Sequence, residues 1–224
     1  MCSIFGYLLI MSQVIQVEAD VAQLLFESAK NLRLVVEVKE IAVPLSNGEF
    51  FSVTAVRSST NQLVTYPVTF NKFHRDRLII LPTSEALTKG KTFQEIVNEQ
   101  VKTLNLYGAN TFIFEKTGEL KTIQEGIGKI ALWSNLFSVT SIFENALRAA
   151  FQLPLGTSEL IERDWILGCF SAPQHLDMQS PYLHLFAHQP RYRIRKLSTH
   201  SGFVALSSSA NLEMELIHAI DYLE

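Results

Sequence analysis

Arg33-Leu34-Val35-Val36-Glu37-Val38-Lys39-Glu40-Ile41-Ala42-Val43 alternates apolar with charged side chains, Ser46-Asn47-Gly48 follows, and residues 49–57 return with Phe50, Phe51, Val53 and Val56. Alternation is the period of a strand, whose successive side chains point to opposite faces. Asn and Gly tolerate positive φ, so residues 46–48 read as a turn and the whole stretch as a β-hairpin. A hairpin builds an antiparallel sheet and argues against a doubly wound parallel one.

Working outward, residues 63–70 and 77–81 read as further strands, with Pro82 ending the second. Upstream, a helix begins near Asp20 with Val21, Leu24, Leu25 and Ala29 on one face. The apolar residues 2–10 read as a buried strand. Thr92-Phe93-Gln94-Glu95 and Ser141-Ile142-Phe143-Glu144 are both capping boxes, in which the hydroxyl takes a helical N–H and the glutamate reaches back. The first of these helices stops near Gly108 and the second at Pro154. Residues 111–120 hold a strand, a Lys116-Thr117-Gly118 turn and the start of a return strand. Residues 192–197 and 203–206 read as strands, and Asn211 opens a last helix that buries Leu212, Leu216, Ile217, Ile220 and Leu223. Residues 156–190 give no clear pattern. The mixture predicts an α+β fold in a single domain over residues 1–224.

Hydrophobic residues make up 47% of the 224 and charged residues 18%, enough apolar material for a sizeable core. The net charge of -3 gives no global basic excess that calls for nucleic acid or an anionic membrane. Cys2 and Cys169 make no disulfide framework, which points to a reducing, cytoplasmic location. The apolar first ten residues lack the basic lead and cleavage site of a signal peptide and are too short to span a bilayer, and no later segment is long enough. No membrane association is expected, and the oligomeric state stays open.

The most specific chemistry lies in Met1-Cys2-Ser3-Ile4-Phe5-Gly6-Tyr7. Removal of Met1 leaves Cys2 carrying a thiol and a free amine, a nucleophile and a base on one residue. The amine titrates at roughly 7.7–8.0 and can take the thiol proton. Acyl transfer also needs donors aimed at the developing oxyanion, and Asn47-Gly48 can supply them from the turn.

This opening resembles that of the class II glutamine amidotransferases, which begin Met-Cys-Gly-Ile-Phe/Val-Gly, and Ser46-Asn47-Gly48-Glu49-Phe50 resembles their Asn-Gly-Glu turn. The resemblance implies an N-terminal-nucleophile hydrolase fold, a four-layer αββα sandwich of mostly antiparallel sheets. It implies glutamine as substrate, with Cys2 attacking the side-chain amide to release ammonia and Asn47 and Gly48 holding the oxyanion. Arg57, in Val56-Arg57-Ser58-Ser59, is the candidate for the glutamine carboxylate, although it follows the turn where the family's arginine precedes it. Ser3 stands where the family has glycine. No cofactor is expected.

The alternative is a non-catalytic binding or assembly protein. Arg191, Arg193 and Arg195 alternate along one strand face and could engage a nucleic acid or an acidic protein partner, or form a solvated edge that blocks aggregation. His175, Asp177, His184 and His188 are metal-ligating types, but no glutamate follows the first histidine of the pair His184–His188. The expectation there is two partly exposed histidines and no metal. Gly126-Ile127-Gly128-Lys129 lacks the spacing of a phosphate loop and reads as a turn, and Cys169 reads as core.

Overall fold

The computed structural model describes residues 14–42, 48–83, 87–88, 91–171, 179–198, 201–208 and 211–223. The predicted strand at residues 2–10 lies outside them. Along the chain run β1 (Val14–Glu18), α1 (Ala22–Asn31), β2 (Glu37–Ile41), β3 (Phe50–Arg57), β4 (Leu63–Thr65), β5 (Thr69–His74) and β6 (Arg77–Pro82). There follow β7 (Leu87–Thr88), β8 (Lys91–Thr92), α2 (Phe93–Thr103), β9 (Gly108–Glu115), β10 (Leu120–Glu125) and the short α3 (Ser134–Phe137). The chain continues with α4 (Ile142–Ala150), β11 (Trp165–Ser171), α5 (Gln179–His188), β12 (Arg193–Lys196), β13 (Ser201–Ser207) and α6 (Leu212–Leu223).

Nine strands form one sheet in the order β10-β9-β3-β5-β6-β11-β13-β12, with β4 attached to β3. Every pairing within it is antiparallel. Beside it, among the described residues, stand only two two-stranded pairings, β1 with β2 and β7 with β8. The four-layer sandwich is therefore corrected. That architecture stacks two sheets, whereas here helices cover both faces of a single mostly antiparallel sheet.

On one face Phe51, Val53, Ala55, Phe112 and Phe114 pack against Phe93, Val97 and Val101 of α2. Further along the same face, Ile166, Phe170, Val204 and Leu206 meet Leu216, Ala219 and Ile220 of α6. A Cβ on Gly168 would lie 2.5 Å from Ile220 Cδ1, so this glycine makes room for α6. The other face carries the largest core, to which α1, α4 and the stacked rings of Trp133, Phe137 and Trp165 belong.

The Arg33–Arg57 hairpin does not form. β2 pairs in parallel with β1, while β3 takes β9, β4 and β5 as partners. The difference is one of burial. Each residue of β3 except Arg57 is buried, and no residue of β2 is. Polar Ser52 and Thr54 give β3 the alternation of a half-exposed strand, but they are hydrogen-bonded inside the protein. β11, which the sequence left unassigned, reads Trp-Ile-Leu-Gly-Cys-Phe and is covered on both sides, so it shows no period of two.

The Thr92 capping box is complete, with Glu95 N–H donating to Thr92 Oγ1 at 3.2 Å and Thr92 N–H to Glu95 Oε2 at 2.7 Å. At Ser141 the hydroxyl accepts from Glu144 N–H at 3.1 Å, but the Glu144 carboxylate turns to Arg148 at 2.8 Å. No helix among the described residues is long and apolar enough to cross a membrane.

Candidate functional site

The segment that organises the site is the crossing of β1 with residues 126–129. Ile127 N–H donates to Gln16 O at 3.0 Å and Glu18 N–H to Ile127 O at 2.8 Å, a parallel bridge that ties β1 to the chain leaving β10. Gly126 has φ +89, and a Cβ there would fall 2.8 Å from Gln16, so the crossing needs glycine on both counts. A cleft opens on each side of it.

The first cleft, about 210 Å³, is lined by Glu18, Asp20, Arg77, Lys129, Cys169 and Ser201 among others. Lys129 follows the crossing directly. Its Nζ lies 2.6 Å from Asp20 Oδ2 and 3.3 Å from Glu18 Oε1, and its backbone N–H donates to Glu18 Oε2 at 2.9 Å. Burial alone would push the ammonium pKa down. The Asp20 hydrogen bond and the charges of Glu18 and Asp20 outweigh it, and the net direction is up, so Lys129 is a cation in the cavity wall. Cys169 is the opposite case. Burial, partly opposed by Lys129, pushes its thiol up to about 12, so it is no nucleophile at neutral pH.

The second cleft, about 420 Å³, borders Gln16, Arg57, Tyr107, Asn110, Glu125 and Gln152. Arg57 donates to Val101 O and Asn105 Oδ1, each at 3.3 Å, and to Asn61 Oδ1 at 2.7 Å, and it lies 4.7 Å over the Tyr107 ring. The guanidinium is thus committed to ending β3 against α2.

On the same sheet face, β3, β5 and β9 bury a cluster of polar side chains. Ser52 Oγ meets Thr69 Oγ1 at 2.8 Å, Asn71 Nδ2 donates to Ser52 Oγ at 2.8 Å, and Thr54 Oγ1 meets Thr111 Oγ1 at 2.9 Å. Asn71 Oδ1 is buried without a partner.

Among the described residues, those picked from the sequence lie apart from one another. Cys2 and Asn47 lie outside the described residues. Gly48, with φ +139, borders a surface depression beside Lys116. Arg57 sits at the far end of β3, about 24 Å from Phe50, the strand's first residue, at the rise of an extended strand. The three arginines are engaged within the chain: Arg193 with Glu162 at 3.1 Å, Arg195 with Glu27, and Arg191 with Ser208 O at 2.6 Å. Arg191 also precedes β12 rather than lying in it. His184 and His188 lie on α5, where sequence showed no helical stripe, and His175 and Asp177 lie outside the described residues. With the side chains as they stand, no three metal-ligating groups among the described residues converge. Nothing in the sequence marks Lys129, since the Gly126-Ile127-Gly128-Lys129 spacing is wrong for a phosphate loop. Its partners, Glu18 and Asp20, are more than 100 residues away in sequence, and no local signal connects them.

No family model matches the sequence, and no curated protein matches it. Solved structures do. The phosphoribosylaminoimidazole carboxylase ATPase subunit from Aquifex aeolicus matches with TM-score 0.58 and 21% identity, over 84% of this chain and 58% of that one. N5-carboxyaminoimidazole ribonucleotide synthetase from Thermotoga maritima matches with TM-score 0.61 and 17% identity, over 83% and 54%. N5-carboxyaminoimidazole synthase from Aspergillus clavatus, in complex with ADP and 5-aminoimidazole ribonucleotide, matches with TM-score 0.63 and 14% identity, over 80% and 52%.

The chain spans just over half the length of these solved chains. At such identities the likeness shows the fold, the ATP-grasp fold of these enzymes. It overturns the resemblance to class II glutamine amidotransferases, with the glutaminase chemistry of Cys2 that followed from it. A short opening segment, Met1–Gly6 with Ser3 departing from the pattern, carried that resemblance, while the path of a nine-stranded sheet opposes it. The alternative of a non-catalytic protein with a basic strand finds no support either.

Proposed function

We propose that this chain is the ligand-binding part of an ATP-dependent ligase of the kind its structural neighbours represent, and that the Lys129 cleft receives the phosphate of a ribonucleotide. The observation that carries this reading is Lys129 itself, a charged ammonium half-buried in the wall of a cavity on an ATP-grasp fold. Its two carboxylates are not equivalent. Glu18 is fixed by both the backbone N–H and the Nζ of Lys129 and is 16% exposed, while Asp20 is held through Nζ and is 37% exposed. An entering phosphate displaces Asp20 and leaves Glu18 in place. Arg77 and Ser201 line the same cavity and face the same ligand. The neighbour from Aspergillus clavatus, which holds ADP and 5-aminoimidazole ribonucleotide, supplies the ligand class.

The test is calorimetric titration of the full chain with 5-aminoimidazole ribonucleotide and, separately, with ADP and magnesium. A charge-assisted hydrogen bond contributes roughly 1.5–3 kcal/mol. Lys129→Ala therefore weakens ribonucleotide binding by about 10- to 100-fold, and Asp20→Asn strengthens it. Equal affinity in wild type and Lys129→Ala would rule the cleft out. Binding of ADP alone, untouched by Lys129→Ala, would keep the ATP-dependent reading but move the ligand elsewhere.

A further inference from the structure

His184 and His188 lie one turn apart on α5, and His218 and Tyr222 lie one turn apart on α6. The two helices pack so that these pairs face each other. The ring centroids of His184 and His188 are 4.6 Å apart, those of His184 and His218 are 6.0 Å apart, and those of His188 and His218 are 5.8 Å apart. The His184 ring stacks on Tyr222 at 4.1 Å and 13°. Among the described residues, no hydrogen bond ties up a nitrogen on any of the three rings.

These separations are the informative quantity. An imidazole centroid lies close to the Cβ–Cγ axis, so turning the ring about χ2 redirects both nitrogens and leaves the centroid nearly in place. That torsion is broad and soft in histidine. A zinc–nitrogen bond of about 2.0–2.1 Å places the metal roughly 3.2 Å from a ring centroid, and tetrahedral angles then set centroids about 5.2 Å apart. The observed 4.6, 5.8 and 6.0 Å straddle that value. As the rings stand they stack and do not converge. Convergence requires ring rotation and loss of the His184–Tyr222 stack.

We propose that His184, His188 and His218 form a binding site for one late first-row divalent cation such as Zn²⁺ at the α5–α6 seam. An all-imidazole donor set suits Zn²⁺, Ni²⁺ or Cu²⁺ and does not suit Mg²⁺ or Ca²⁺, which want oxygen. Water fills the remaining coordination. His188 and His218 are exposed, so the metal reaches the site without opening the fold. Because one ligand comes from α6 and two from α5, occupancy clamps α5 onto the sheet.

The experiment is calorimetric titration of Zn²⁺ into the full chain, purified without a histidine tag, with Co²⁺ absorption as a second readout. The expected result is one ion per chain. His184→Ala, His188→Ala and His218→Ala each weaken binding at least about tenfold, while His74→Ala, on β5, binds as wild type. Metal-free melting temperatures of His188→Ala and His218→Ala match wild type, which separates lost ligation from lost folding, while His184→Ala also loses the Tyr222 stack and melts lower. Unchanged affinity in His218→Ala overturns the proposal, since a pair on one helix would then explain the binding. So does the absence of a stoichiometric isotherm.

Discussion

The two faces of the central sheet are built from different chemistry. Toward α2, the side chains of β3 and β9 are Phe51, Val53, Ala55, Phe112 and Phe114, and they meet only apolar residues of the helix. Toward α1 and α4 the same two strands carry Ser52, Thr54 and Thr111, neighboured by Thr69 and Asn71 of β5. Tyr66 and Asn145 are buried on that side too, and the Lys129 cavity opens at its rim. Over β3 and β9 the first face is an apolar packing surface. The other holds polar groups in the interior, each needing partners, and it is bordered by both clefts. The difference separates residues that hold the fold from residues that can meet a ligand, and it can be broken at three places.

The largest effect belongs to the packing face. Phe112 is fully buried among Phe51, Phe93 and Phe114 and their neighbours. Phe112→Ala removes a ring and leaves a cavity that the surrounding aromatic rings fill only in part, which costs about 3–5 kcal/mol. Urea denaturation reads this directly. If the faces are functionally distinct, the fraction that remains folded binds the ribonucleotide with wild-type affinity. A drop in affinity along with stability would erase the distinction.

The polar face breaks differently. Asn145 Nδ2 donates to Tyr66 Oη at 2.8 Å and to Gly156 O at 3.0 Å, and its Oδ1 accepts from Gly156 N–H at 2.8 Å. Tyr66 in turn donates to Thr140 O at 3.0 Å. Gly156 sits so close that a Cβ on it would lie 2.1 Å from Thr140 Oγ1. One amide therefore pins the loop after α4 to the sheet. Asn145→Ala strips partners from the buried Tyr66 hydroxyl and the part-buried backbone of Gly156 and costs about 2–3 kcal/mol. Asn145→Asp keeps the acceptor for Gly156 N–H but loses both donors, so it lies no closer to wild type. An Asn145→Ala protein as stable as wild type would mean that the buried polar groups are passengers.

How much of this was legible depended on whether neighbours in space were neighbours in sequence. The Thr92 box, the turn at residues 116–118 and the helix over Leu24, Leu25 and Ala29 are local, and all are present. β11 was missed because a strand covered on both faces has no alternation to read. The hairpin from residue 33 to 57 was misread for the converse reason, since Ser52 and Thr54 imitate a solvent face while being buried. The Lys129 site was invisible. Its partners, Glu18 and Asp20, come from β1 and the turn after it, and only the fold brings them within 4 Å. His218 has no local signal for the same reason. It meets His184 and His188 only because α6 packs beside α5.

The smallest effect sharpens the comparison where the faces of the molecule meet, at Cys169. Its side chain points to the α1 side, into the core and the wall of the Lys129 cavity at once. Burial raises the thiol to about 12, against an ordinary value near 9.0. The unfolded chain releases this proton first as pH rises, and the native state keeps it. The native state therefore binds the extra proton, and its contribution to stability is whole below pH 9 and falls as pH climbs toward 12. Between pH 9 and 11 this single group removes on the order of 1–2 kcal/mol. Tyr66 and Tyr192 are raised by burial as well and add their own losses above pH 10, so the Cys169 share must come from a difference. Cys169→Ala supplies it: denaturation of wild type and variant in parallel across that range gives two curves that converge as pH rises. Parallel curves would show that the thiol is hydrated through the cavity, and that the wall beside Lys129 is wetter than its burial implies.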